Sequence, residues 1–325
     1  AVVVYFSNSI SRKKDKMAEF RYGILPYVLI LDRLFPVETY LAYFGRICIA
    51  IFAFSSGYGL RKRYLNSTKK IGIIQNYKSS LLQLLKFYSR YWVVFFAFIP
   101  LGFVLKVYNF DWLQFLKSLL GLDDRYNAEW WYVIFYVRFL LLFPLLTLLL
   151  DGLRKISFVA LHIFMGICLG ALTLLPVSSF LSVLMCFVEG MYFVDSGIFE
   201  GIFKHLPKNL WLRLALGVVL FGVTFVLRFF FVPDYWLVAL MVFSVMLIVK
   251  SIRIFHPLLM FIGKYSTYIW LTHTFFGYYF FQKLTFFPRY SWLIFLWCLV
   301  LSIVTGIVLE GLLTLSGKLR RKHLP

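Results

Sequence analysis

Runs of about twenty apolar residues, interrupted by short charged or Pro/Gly-bearing breaks, recur along the whole chain. A helix needs roughly 20 such residues to cross ~30 Å of hydrocarbon, so the pattern places most of this chain in lipid. The runs predict helices over residues 20–34, 39–60, 81–105, 130–150, 156–175, 179–194, 210–232, 235–249, 257–281 and 291–315. A membrane β-barrel would alternate in ~10-residue segments, whereas the stretches from Phe139 to Leu150 and from Leu293 to Leu309 are apolar on every face. The expected fold class is all-α, a polytopic membrane bundle of about ten transmembrane helices. Composition agrees: 62% of residues are hydrophobic and 15% charged, with a mean hydropathy of +0.83. Soluble domains sit nearer half apolar and a quarter charged.

The net charge of +20 raises the question of nucleic acid, and the placement of the basic residues answers it. Of 34 lysines and arginines, 22 fall in segments 7–21, 61–80, 151–155, 194–213, 250–257 and 316–325, against six in 33–38, 106–129, 233–234 and 282–290. Basic residues resist translocation, so strictly alternating segments of this kind mark the cytoplasmic side. The first set and the C-terminal tail are therefore expected in the cytoplasm, against anionic lipid, and no nucleic-acid partner is expected. Residues 1–19 read as the apolar end of a preceding helix plus a basic cytoplasmic loop, residues 20–315 as one membrane domain, and 316–325 as a basic tail. The loop from Lys106 to Glu129 carries Asp111, Asp123, Asp124 and Glu129, and reads either as a cover over an outward opening or as a solvated connector.

Ionisable side chains at membrane depth cost several kcal/mol unless they face protein or water, so each is a functional candidate. They are Asp32, Arg46, Arg90, Arg138, His162, Glu189, Arg228, His273 and Glu310. Arg138, His162, Arg228 and Glu310 lie close enough to helix ends to reach an interface, which leaves Asp32, Arg46, Arg90, Glu189 and His273. His273 stands between Thr272 and Thr274, which can satisfy it, and no second histidine stands at metal spacing, so no metal is expected. The four cysteines fall in apolar runs and read as small core residues. Phosphate-loop, dinucleotide and serine-elbow motifs are missing from the sequence.

Three stretches carry a resemblance. Gly45-Arg46-Ile47 through Phe54-Ser55-Ser56-Gly57-Tyr58, followed by Arg61-Lys62-Arg63, is an apolar run ending in Ser-Gly-aromatic and then basic residues. Trp130-Trp131-Tyr132 leads a helix to Phe143-Pro144, and Gly263-Lys264-Tyr265-Ser266 leads through Ile269-Trp270-Leu271 to His273. In order and spacing the chain resembles the acyltransferase-3 family of integral membrane acyltransferases over residues ~20–280. Within it, the chain is similar to the capsule and exopolysaccharide O-acetyltransferases of Gram-positive bacteria.

The resemblance implies a multi-pass plasma-membrane enzyme that takes acetyl groups from acetyl-CoA and places them on a saccharide acceptor. Membrane lipid is an implied partner, and a second copy of the chain is left open. The family's first helix pairs an arginine with a catalytic histidine eleven positions on; here Arg21 is followed by Asp32. The family's glutamate in the Trp helix is replaced by Tyr136. A neutral histidine suits proton abstraction from a hydroxyl near neutrality, and an aspartate is a weaker base. Three readings follow. Asp32 is an activity-lowering replacement; or the enzyme is active with Asp32 or His273 as base; or the chain is a transporter or export component whose charges line a pathway. The expected catalytic set is Asp32, Arg21, His273 and Arg90, with Arg90 clamping the donor or polarising its carbonyl. The expected donor set is Arg61, Lys62, Arg63 and Lys86 for phosphates, with Ser56 and Gly57 allowing close ligand approach or, equally, helix packing.

Overall fold

The structure, a computed structural model, describes residues 44–67, 72–175, 178–230 and 232–322. Arg21, Asp32 and the helix expected over 20–34 lie outside the described residues. Among the described residues all regular structure is helical. In chain order the helices are α1 (Ile47–Leu65), α2 (Ile73–Val104), α3 (Trp112–Leu119), α4 (Trp131–Ile156), α5 (Phe158–Leu174), α6 (Ser179–Ser196), α7 (Ile198–His205), α8 (Leu210–Phe229), α9 (Asp234–Ser251), α10 (His256–Thr274), α11 (Gln282–Thr285) and α12 (Ser291–Lys322). A 3₁₀ turn, Ala128–Trp130, leads into α4, and a π-helical turn, Phe275–Tyr279, follows α10. Six of these segments are long and apolar enough to cross a membrane: Ile73–Val104, Ala128–Ile156, Ser179–Ser196, Leu210–Phe229, Asp234–Ser251 and Trp292–Leu315. The chain is a polytopic helical membrane protein.

The predicted loop over 61–80 is largely helical. α1 runs on through Arg61-Lys62-Arg63 to Leu65, and α2 begins at Ile73. Charge does not end α1 because Arg61 turns inward, onto the same face as Ala53, Phe54, Gly57 and Leu60. The start of α2 is amphipathic, with Asn76 and Ser80 buried one turn apart.

The chain divides into two compact units, and the division falls inside α2, α4 and α10. One unit holds residues 46–84 and 135–257. In it α1 lies against α6 by a reciprocal arrangement. A Cβ on Gly57 would fall on the Phe187 carbonyl, and a Cβ on Gly190 on the Phe54 carbonyl. Small residues let membrane helices approach this closely. α8 packs on α9, where Gly217 meets Leu247 and Ile248. Arg228 is buried and pairs with Asp234 at the α8–α9 turn, so it does not reach for an interface as its position in the sequence predicts.

The other unit holds, among the described residues, 44–45, 85–134 and 258–322. Residues 105–127 are not a plain solvated connector. α3 is capped by Asp111, whose side chain accepts from the Gln114 amide. It then runs back along α2. Its last carbonyls are met by α2: Trp92 Nε1 donates to Leu119 at 3.0 Å, Tyr88 to Leu120 at 2.7 Å, and Tyr91 to Ser118. Those α2 residues lie roughly 20 Å below Val104 at 1.5 Å of rise per residue. The return limb climbs again, since the Tyr108 hydroxyl donates to the Tyr126 carbonyl at 2.5 Å. Phe110, Trp112, Leu113, Leu120 and Leu122 are exposed along this hairpin. An apolar face of that kind is expected to meet lipid.

Candidate functional site

α10 delivers His273. Its ring is buried, at 5% exposure for the residue. Nδ1 lies 3.0 Å from the Ile269 carbonyl and 2.8 Å from the Trp270 carbonyl. Carbonyl oxygens only accept, so Nδ1 carries the hydrogen of the neutral ring, and Nε2 is left with a lone pair. Nε2 is buried and has no hydrogen-bond partner among the described residues. The flanking threonines do not satisfy His273, contrary to expectation. Thr272 donates to the Tyr268 carbonyl at 2.7 Å, and Thr274 accepts from Asn127 at 2.6 Å. Thr272 is taken up because a helical hydroxyl finds the carbonyl one turn back more easily than a ring beside it, and Thr274 is taken up by the Asn127 amide.

The surroundings fix that ring. Directly after Thr274 the helix widens to the π turn, with the Phe280 amide bonded to the Phe275 carbonyl at 3.0 Å. Single π turns inside helices concentrate at functional sites. Trp130 Nε1 donates to the Leu271 carbonyl at 3.2 Å, and Phe275 stacks on Phe98 at 4.5 Å between centroids. Gly306 of α12 is pressed against Tyr268. Asn127 is fully buried and anchors its own 3₁₀ turn, since its Oδ1 accepts from the Glu129 amide at 3.1 Å. Beside it, burial first and Asp111 and Asp123 next push the Tyr126 phenol above its ordinary range, which keeps it a neutral group.

Arg90 is not an open cation. Its Nε and Nη2 each lie 3.1 Å from an oxygen of Glu310, and Tyr268 donates to the same carboxylate at 2.7 Å. Glu310 therefore does not reach an interface as expected; it holds Arg90 in a bidentate pair, the geometry a guanidinium fork prefers. Both side chains keep about a third of their surface open, 39% and 32%.

In the other unit the basic triplet divides. Arg61 is fully buried. Its Nε and Nη2 reach Asp195 at 2.8 and 2.9 Å, and Nη2 also reaches Asp151 at 2.5 Å. Arg154 adds a contact to Asp195 at 3.3 Å, and the Tyr64 hydroxyl donates to Asp151 at 3.1 Å. Two arginines thus balance two aspartates, tying α1 to α4 and α6. Arg61 was expected to meet a phosphate; its Nε and Nη2 are committed to carboxylates, and its Nη1 is buried with no partner among the described residues. Lys62 points to solvent, 3.6 Å from Glu200, and Arg63 is exposed. Gly57 is likewise taken up, by the α6 backbone, and offers no room for a ligand. Lys86 is exposed and belongs to the unit that holds His273.

Glu189 is 3% exposed and its Oε1 has no partner among the described residues. Asn127 is the site residue that sequence reading misses, since nothing in a polar loop distinguishes a buried amide from a solvated one. Among the described residues no three His, Cys, Asp or Glu side chains gather to hold a metal ion. The cysteines are free thiols.

A family model described as an acyltransferase domain, of the acyltransferase-3 type, matches residues 18–311. No curated protein and no solved structure gives a significant match. The match spans both compact units and includes His273, Arg90 and the Arg61 hub. With that coverage, and with an all-helical membrane architecture, the chain belongs to the acyltransferase-3 family of membrane acyltransferases, enzymes that transfer acyl groups other than aminoacyl groups.

Proposed function

We propose that the protein is an O-acetyltransferase that moves an acetyl group from cytoplasmic acetyl-CoA to a hydroxyl of a surface polysaccharide or its lipid-linked precursor, in a bacterial plasma membrane. The observation that carries this reading is the buried His273 ring, with Nδ1 committed to two backbone carbonyls and Nε2 unpartnered. A neutral imidazole held in one tautomer is suited to take a hydroxyl proton. In the step proposed, Nε2 accepts the proton of the acceptor hydroxyl as its oxygen bonds to the thioester carbonyl carbon. The carbon–sulfur bond then breaks, and the proton passes from Nε2 to the departing thiolate. Asp32 stands where the family resemblance implies a histidine, and in this reading its presence lowers activity without abolishing it.

Acetyl transfer from radiolabelled acetyl-CoA to cell-envelope polysaccharide, measured in membranes, tests this. His273→Gln is expected to lower the rate by about 10²–10⁴, the usual worth of a general base, and Asp32→His to raise it. Full activity in His273→Gln together with loss in Asp32→Ala would move the base to Asp32. No transfer by either the wild type or Asp32→His would overturn the reading.

A further inference from the structure

We infer that Trp130 and Thr285 are positioning residues, which hold open the widened turn after α10 and so set where the His273 ring stands. The role given to His273 rests on the acetyl-transfer reading above; the geometry of the turn stands apart from it. In a π turn the amide that meets a carbonyl comes from the fifth residue on and not the fourth, and buried carbonyls beside the change need other donors. Around Phe275–Tyr279 those donors are side chains from other elements. Trp130 Nε1, at the end of the 3₁₀ turn before α4, donates to the Leu271 carbonyl at 3.2 Å. Thr285, in α11, donates to the Phe276 carbonyl at 2.8 Å, and Gln282 of the same helix to that of Tyr278. The Cys298 thiol of α12 lies 3.7 Å from the His273 carbonyl.

Trp130 and Thr285 carry the most weight, because both are buried, at 1% and 0% exposure, where water does not replace a lost donor. The Leu271 carbonyl continues the row that holds the ring, since the Ile269 and Trp270 carbonyls just before it share the Nδ1 hydrogen of His273. A donor lost at Leu271 or Phe276 lets the turn tighten toward ordinary α-helical spacing, and the row moves with it. A reacting group displaced by about 1 Å costs on the order of 10²-fold in rate. Trp130 is wedged between Tyr91 and Phe275, with ring centroids 4.9 and 5.7 Å away. A phenylalanine keeps much of that packing and lacks the N–H, so Trp130→Phe isolates the bond. Thr285→Val does the same for the hydroxyl.

The test uses the full-length protein with two readouts. In acetyl transfer, Trp130→Phe and Thr285→Val should each lower kcat at least tenfold with the donor KM unchanged, and Thr285→Ser, which keeps the hydroxyl, should recover at least half the rate. The second readout needs no activity: nitrogen-15 spectra of histidine-labelled protein in detergent, with the His273 signals identified by their loss in His273→Gln. The wild type should show the Nδ1–H tautomer alone, and either variant should show both tautomers. Unchanged His273 spectra in both variants overturn the inference, as does a donor KM that rises with kcat kept. Loss of folding in both variants also overturns it, since the donors would then hold the fold and not the ring. Altered spectra alongside a wild type that transfers no acetyl group uphold the role of the turn and remove the acetyl-transfer reading instead.

Discussion

Gly57 and Gly190 are each pressed against the partner helix's main chain, the first on the Phe187 carbonyl and the second on that of Phe54. The spacing is the same on both sides, phenylalanine then glycine three residues on, so α1 and α6 meet through a pseudo-symmetric contact. Lipid supplies no hydrophobic drive to bring helices together, and close backbone packing is what holds them. Any Cβ at these two positions must push backbone aside. Gly57→Ala is expected to destabilise by about 1–3 kcal/mol, the usual cost of overpacking, and Gly57→Leu by more. Gly59, two residues on, has open space around its Cα, and Gly59→Ala should be neutral or stabilising through helix propensity. Thermal unfolding of the purified protein in detergent checks the pair; equal shifts for Gly57→Ala and Gly59→Ala would refute the contact.

The Arg61 hub makes a second prediction. Arg61→Met leaves the buried Asp195 with only the half-exposed Arg154 and Asp151 with only the Tyr64 hydroxyl, and uncompensated buried charge costs about 3–5 kcal/mol. Adding Asp195→Asn should recover a large part of that loss, because the penalty lies in the orphaned carboxylate and not in the missing bond. Lys62→Ala removes a solvent-exposed pair with Glu200 and should cost under about 1 kcal/mol. A double-mutant cycle on unfolding free energy distinguishes the two, and purely additive effects of Arg61→Met and Asp195→Asn would count against the hub.

Much of this was legible in the sequence, and the exceptions have physical causes. The apolar runs located all six described helices that are long and apolar enough to span, because lipid demands continuous apolar length, while the expected spans at 39–60, 156–175 and 257–281 are not among those six. Helix boundaries at 61–80 failed, since charge near a helix end reads as solvent unless a buried counter-ion is known. Arg61 lies seven residues after Phe54 and four after Gly57, on one helical face, so its inward aim was present in the spacing; Asp151 and Asp195, remote in sequence, were not. His273 stood out as an ionisable residue in an apolar helix, but the freedom of Nε2 depends on which carbonyls its partner nitrogen meets. Glu310 as the partner of Arg90 needed α12 folded against α2. Asn127 carried no local signal at all.

Asn127 gives a third prediction. Its Nδ2 holds Thr274, the residue between His273 and the π turn, so it acts as a positioning residue for the His273 ring. Thr274→Val strands a fully buried amide and should cost about 1–3 kcal/mol of stability. Asn127→Leu removes the whole pair member and should lower acetyl transfer by about tenfold, with donor KM unchanged. The double variant should be no worse than Asn127→Leu alone, as expected of residues that share one bond. A donor KM that rises with unchanged kcat would contradict a positioning role.

Arg90 and Glu310 allow structure and chemistry to be separated. The pair is bidentate but about a third exposed on each side, so its stability contribution is screened and should stay below about 1 kcal/mol. On the function proposed above, a large loss of transfer is then assigned to what the guanidinium does to substrate. Arg90→Lys keeps the charge but loses the planar fork, and is expected to reduce acetyl transfer at least tenfold with little change in unfolding temperature. Exchanging the two, Arg90→Glu with Glu310→Arg, restores an ion pair across α2 and α12 while placing the cation on the wrong helix. The exchange should regain stability and leave transfer low. Recovery of transfer in the exchanged protein would show that the two residues serve only to join the helices, and would remove Arg90 from the catalytic set.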